Sequence, residues 1–341
     1  MPLPSSSPPL FGAAPGSPIT HVVFVVQENR TFDNIFGGPH GFPGADTAST
    51  GRRTDNSIQI LSQVELECTY IIRVFDCPRQ DPNNYHQPWL LACNPPSPPP
   101  FTAGGASPCR MNGFDQDQTP DLDPDQVYSY VDYSETTAYW DIARTYTLGD
   151  HFFMGHNSES YTAHQYIFSA QSNNVVDGPV YPNPPSSATV FLTPWGCDSP
   201  SGTSTYRLDP ATGQETSTAS GPFPCFGGMP GGAYRSLADL VNAKEGLNWR
   251  LYSYSICQNI NALDVNKSIR YGGSWPSDEE ADCPLAGNVN TAHFRTPQGT
   301  FLTDVANGDL ANVTWVLPGP VTSDHPGVPL GTAAHGGSPV S

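Results

Sequence analysis

Two short runs constrain the fold more than anything else in the chain: VVFVV at Val22–Val26 and VTWVLPG at 313–319. Their apolar residues are continuous rather than alternating, the pattern of strands buried on both faces in a parallel sheet. Between them, YRSLADLVNAKEGLNWRLYSYS (234–255) reads as a helix followed by a strand. Leu237, Leu240 and Val241 line one helix face, Gly246 ends the helix, and Trp249 to Tyr254 form the strand. Helices alternating with strands imply an α/β fold with a mostly parallel sheet covered on both faces.

The intervening segments fill in the pattern. DPNNYHQPWLLAC (81–93) reads as a loop running into a short helix. YSETTAYWDIARTYTLGDHFF (133–153) carries helical spacing at Tyr139, Ile142, Ala143 and Tyr146, with Gly149 as its C-cap. SYTAHQYIFSAQS (160–172) predicts a second helix, with Thr162 and Gln165 as a capping box. Thr189–Leu192 predicts a strand, and 194–233 a long loop. Residues 1–20 read as a disordered Pro/Ser-rich tail, without the basic start and apolar core of a signal peptide. Residues 21–341 are expected to form one domain.

Composition narrows the function. Net charge is −18, from 14 basic and 32 acidic residues. With no basic stripe, a nucleic-acid partner is not expected. An anionic substrate would be repelled at long range, so handling phosphate requires a local reversal of field, for which a metal ion is the natural source. No stretch has the length and apolarity of a membrane span. The eight cysteines, an even count set in loop sequence rich in Pro (37) and Gly (32), suggest disulfides and a secreted or periplasmic location. Successive pairs each bracket one loop, so sequential pairing is expected, above all Cys197 with Cys225.

Ligands of open parallel sheets bind beyond the carboxyl ends of the strands. Glu28-Asn29 follows one such end, and Asp324-His325 follows another after a short loop. A carboxylate and a carboxamide oxygen together suit a divalent cation. They equally cap a turn, and spacing alone favours that reading. Ser160 opens a predicted helix, where free N–H groups favour anions. It reads either as a nucleophile activated by a metal or as an ordinary N-cap. His86, His325 and His164 have bland readings too: solvent-exposed for the first two, packing for the third.

The ordered set of motifs weighs against the bland readings. VVFVVQENRTFDNIFG, YHQPWLLAC, MNGFD, YWDIARTYTLGDHFFM, SESYTAHQYIFSAQS, WRLYSYS and WVLPGPVTSDHPG occur in the order of a known family. The chain resembles the bacterial phosphoesterases that include phospholipases C and related secreted acid phosphatases. The resemblance runs from about residue 20 to the end. It implies a three-layer α/β/α fold of the alkaline-phosphatase type and hydrolysis of phosphate esters, phospholipid or phosphomonoester. It implies that Glu28, Asn29 and Ser160 hold a divalent metal ion. Ser160 would be the nucleophile, with His86 and His325 around the phosphate.

One departure stands out. The family carries a later motif of adjacent Asp residues and a His that supplies further metal ligands, and no Asp-Asp pair occurs here. The expectation is therefore a domain lacking its C-terminal part, with Asp324 and Asp33 the first substitutes to consider. The alternative is an inactive family remnant with a phosphate- or surface-binding role.

Overall fold

A computed structural model describes residues 18–66, 82–96, 109–117, 125–183, 194–210, 212–216, 222–227, 234–257, 260–276, 289–319 and 322–324. Residues 1–17 of the expected tail at 1–20, the strand at Thr189–Leu192 and His325 lie outside them. In chain order the described elements are β1 (Val22–Val25), α1 (Phe32–Phe36), β2 (Thr50–Arg52), β3 (Ile58–Ile60), β4 (Ser62–Val64), α2 (His86–Cys93) and β5 (Ser129–Val131). There follow α3 (Thr137–Thr145), α4 (Ser160–Ser169), β6 (Val175–Val180), β7 (Ser204–Arg207), α5 (Leu237–Asn242) and β8 (Trp249–Tyr252). Last come α6 (Lys267–Arg270), β9 (Phe294–Arg295), α7 (Thr300–Asn307) and β10 (Val313–Val316).

The chain is a mixed α/β protein with a parallel central sheet in the order β1-β10-β8-β9. Among the described residues there are also three two-stranded sheets: β2 with β3, β4 with β5, and β6 with β7. The continuous apolar pattern correctly marks β8 and β10 as interior: all four β8 residues are buried, and Thr314 and Trp315 are 0% exposed. It misreads β1. Among the described residues β1 pairs only with β10, and Val22, Phe24 and Val25 are exposed. An apolar run states that a strand is apolar on both faces, not how many neighbours cover it.

Three other expectations shift at element ends. Helix α3 stops at Tyr146, not at Gly149. Helix α4 is capped by Glu159, so there is no capping box at Thr162; Gln165 instead donates to the Tyr161 carbonyl. Helix α5 ends at Ala243, while Gly246 (φ +79°) turns the chain into β8. Its start is a true capping box, Ser236 with Asp239.

The core lies where α4 and α5 meet the sheet. Trp315 packs against Phe24, Phe168 and Trp249, and Trp249 against Phe294. Leu251, Leu263, Ile269 and Tyr161 complete it, all fully buried. Each buried aromatic or aliphatic side chain of this size contributes about 1.5–3 kcal/mol by leaving water.

Disulfides Cys93–Cys109 and Cys197–Cys225 match the sequential pairing, and Cys257 is disulfide-bonded as well. The second bridge sits on a buried charge cluster. Arg270 donates to both Asp198 oxygens, at 2.8 and 2.7 Å, and Asp264 Oδ1 lies 3.7 Å from the same nitrogen. Asp264 Oδ2 accepts the Asp198 N–H and the Asp264 carbonyl accepts the Cys197 N–H. Only glycine fits at 196, because a Cβ there would stand 2.3 Å from the Asp264 carbonyl carbon.

Burial, and then the charge of Asp198, hold the Asp264 carboxyl well above its ordinary pKa, with Arg270 opposing. A carboxyl whose pKa is raised by folding binds more protons folded than unfolded. Its contribution to stability is therefore lost as pH climbs from the ordinary value of about 3.9 toward the folded-state value. Asp264→Asn is expected to flatten that decline in urea unfolding measured across a pH series. An unchanged slope would show that Asp264 is already ionised in the folded protein.

Candidate active site

At the carboxyl edge of the sheet, Glu28 and Asn29 lie against the 322–324 segment and, through His164, the start of α4. Beyond β1 the chain turns sharply at Asn29, in the left-handed region at φ +72°. Asparagine tolerates that conformation better than most residues. Beyond β10, Asp324 is left-handed as well, at φ +54°. Three bonds zip the two segments together: Gln27 Nε2 to Thr322 O at 3.0 Å, Asn29 Nδ2 to Ser323 O at 2.8 Å, and Arg30 Nε to Asp324 O at 2.9 Å. Behind them α1 is fixed by the Thr31–Asn34 capping box, and Phe36 packs on Phe32, Phe42 and Trp140.

Ser160 is the first residue of α4, the position expected for it. Glu159 is the N-cap, its Oε2 accepting the Tyr161 N–H at 3.0 Å, so capping is not the work of Ser160. The Ser160 hydroxyl makes no hydrogen bond among the described residues. One turn on, His164 Nδ1 donates to the Ser160 carbonyl at 2.8 Å, and its Nε2 lies 3.1 Å from Glu28 Oε2, an ion pair with the N–H off line. His164 thus brings the strand end and the helix start onto one buried ring. Burial alone would lower the imidazole pKa. The charge of Glu28, the contact with it, the Ser160 carbonyl and the charge of Glu159 outweigh burial, so the net shift is upward.

Glu159 is itself nearly buried. Burial pushes its pKa up to about 7, with the Tyr161 N–H opposing and the charge of Asp177 adding to the rise. His156, whose ring packs at a tilt against Tyr166, has its pKa lowered by burial and by the charge of His164.

His86 is the first residue of α2, whose Pro88 falls in the first turn, where a missing N–H costs nothing. The His86 N–H donates to Asp177 Oδ1 at 2.6 Å, and its Nδ1 donates to the Asn157 carbonyl at 2.9 Å. Its Nε2 stands 3.7 Å from Glu215 Oε1. Asp177 also receives the Ser158 hydroxyl at 3.2 Å and gives its own N–H to Ser158 at 2.8 Å. One aspartate therefore ties α2 to the turn that leads into Ser160. It can do so because the β6–β7 register shifts between Val176 and Val180, leaving Asp177 left-handed at φ +58°.

The sequence offered no sign of Asp177 or Glu215 as site residues. A bulge aspartate and a loop glutamate are common surface features, and both act through long-range contacts. The cue, had one been used, was Asn-Asn-Val-Val-Asp-Gly (173–178): two asparagines, then Asp-Gly inside an apolar strand, marking a break in the ladder.

The donors fit a hard divalent cation in kind. Glu28 Oε1 and Asn29 Oδ1 remain for a ligand when their partner atoms are engaged by His164 and Ser323, and Ser160 adds a hydroxyl. Magnesium-like ions are held by one or two carboxylates plus water and substrate oxygens. Among the described residues no three His, Cys, Asp or Glu side chains are grouped to hold a metal. Each of the two substitutes expected from sequence has one oxygen engaged: Asp33 Oδ1 accepts the Ala48 N–H at 2.7 Å, and Asp324 Oδ2 accepts the Tyr139 hydroxyl.

The sequence model of the Phosphoesterase family matches residues 19–336, a span that contains every residue of this site.

Asp177→Ala would strand the buried N–H of His86. The expected cost is about 1–3 kcal/mol in denaturant unfolding, together with faster amide hydrogen exchange at His86. Unaltered protection of that amide would mean that Asp177 does not hold α2.

Proposed function

Because the chain belongs to the Phosphoesterase family, we propose that it is a metal-dependent hydrolase of the phospholipase C and acid phosphatase type, with Ser160 as nucleophile. The observation that carries this reading is His164, which joins Glu28 at the sheet edge to Ser160 at the start of α4. We propose too that the parallel sheet belongs to an alkaline-phosphatase-like α/β/α architecture, and that the disulfide-bonded chain works outside the cytoplasm.

Ser160 Oγ attacks phosphorus in line with the leaving oxygen. The Oγ–P bond forms as the ester P–O bond breaks, the hydroxyl proton ending on the leaving alcohol; water then cleaves the Ser160 Oγ–P bond, releasing phosphate from a monoester or a phosphomonoester from a diester. His164 does not serve as the base for this step, since Nδ1 is spent on the Ser160 carbonyl and Nε2 faces Glu28. A divalent cation held by Glu28, Asn29 and Ser160 would lower the hydroxyl pKa and neutralise phosphoryl charge. His164 orients Glu28 for that task. His86, fixed by Asp177 and Asn157, presents Nε2 toward the leaving group or the phosphoryl oxygens. His325 takes the same task by resemblance alone.

A second reading, phosphate binding without turnover, draws on the described residues grouping no three His, Cys, Asp or Glu side chains for a cation. One experiment separates the two. Ser160→Ala is expected to lower hydrolysis of an aryl phosphate by on the order of a thousandfold or more while the variant stays folded. Activity that survives undiminished would remove Ser160 from the nucleophile role. A wild type that binds phosphate but turns nothing over would favour the second reading.

A further inference from the structure

His86 offers a ligand one atom only. The Asn157 carbonyl can only accept, so Nδ1 carries the proton of that bond and is spent. The backbone N–H of the same residue is held by Asp177, which fixes the place of His86 at the start of α2. That leaves Nε2, and Glu215 Oε1 stands 3.7 Å from it. Glu215 is not there by chance of a loose loop. Gln87, the next residue on α2, donates to the same Oε1 at 2.8 Å, and the backbone of Glu215 bridges back to Leu208 beyond the end of β7. The His86 side chain is 4% exposed and that of Glu215 is 20%. A ligand reaching Nε2 from solvent therefore meets the carboxylate of Glu215.

The rest of the neighbourhood is acidic too. A helix N-terminus ordinarily welcomes an anion, but that of α4 is already capped by the Glu159 carboxylate, and Asp177 lies close enough to raise its pKa. Among the described residues, no Arg or Lys forms an ion pair with Glu28, Glu159, Asp177 or Glu215; the ion-pair partners of Glu28 and Glu215 are imidazoles. Such a surround opposes each added negative charge on a substrate. A phosphodiester brings one charge, a fully ionised phosphomonoester two.

We propose that Glu215 is a specificity-determining residue that biases this site toward singly charged phosphate esters, diesters foremost, and against dianionic monoesters. The proposal rests on the phosphoesterase reading. A divalent cation pulls the opposite way, in favour of the dianion, so the effect of Glu215 is isolated by comparing variants at one metal concentration.

The test uses the full chain at about pH 8, where a monoester is fully ionised. kcat/KM is measured for p-nitrophenyl phosphate and for methyl p-nitrophenyl phosphate, which share a leaving group and differ in charge. Glu215→Gln keeps the shape and an oxygen for Gln87 and removes the charge. The monoester-to-diester ratio is expected to rise about tenfold. Gln87→Ala, which loosens the loop but keeps the carboxylate, is expected to leave the ratio within about twofold of wild type. A ratio that Glu215→Gln does not move, or that Gln87→Ala moves equally, overturns the proposal and leaves the phosphoesterase reading standing. Hydrolysis of neither ester by the wild type overturns both.

Discussion

The buried pair of His164 and Glu28 is the contact on which the rest of the site depends. His164 is 1% exposed and belongs to α4; Glu28 follows the last residue of β1 by three positions. An imidazole buried so deeply is costly unless both nitrogens have partners. Here one faces a carboxylate and the other a carbonyl of its own helix. The pair therefore fixes more than two side chains. It sets the position of the α4 start against the sheet edge, and with it the distance from Ser160 to the Glu28-Asn29 turn. Removing one partner would leave a buried polar group without compensation, a larger loss than the pair itself contributes.

A second layer of contacts holds the first. Asp177 joins α2 to the 157–158 turn, and Glu159 caps the helix that follows. Both are acidic, as is Glu215, so the site gains its rigidity from carboxylates. Rigidity and charge are thereby coupled. The carboxylates that fix His86 and cap α4 also surround the site with negative charge, which the cation proposed at Glu28 and Asn29 would offset for a phosphate.

Much of this edge was legible in the sequence. The apolar run ending at Glu28-Asn29, the helix starting at Ser160, the helix carrying His86 and the Cys197–Cys225 bridge are local patterns, and local patterns survive in one dimension. What stayed hidden depends on neighbours. Nothing in VVFV distinguishes β1, which pairs among the described residues with β10 alone, from the interior position of β10. Glu159 was passed over as cap because Ser160, beside it, is the commoner type for that role. Asp177 and Glu215 are invisible for a stronger reason: they lie 91 and 129 residues from His86 along the chain, and only the folded β6–β7 unit brings them to it.

Three of the residues at this edge, Asn29, Asp177 and Asp324, are left-handed and none is glycine. Each carries a conformational cost of order 1–3 kcal/mol, less for Asn and Asp than for other types. Such residues persist only where the surroundings over-determine them, and here they do. Asn29 is bound to Ser323, Asp324 is held through Arg30 and Tyr139, and Asp177 through His86 and Ser158. Asn29 follows β1 and Asp324 follows the adjacent parallel strand β10, beyond the ladder that could anchor polar side chains. The cross-links between the two segments do that anchoring instead, and they fix the Glu28-Asn29 turn through protein contacts alone.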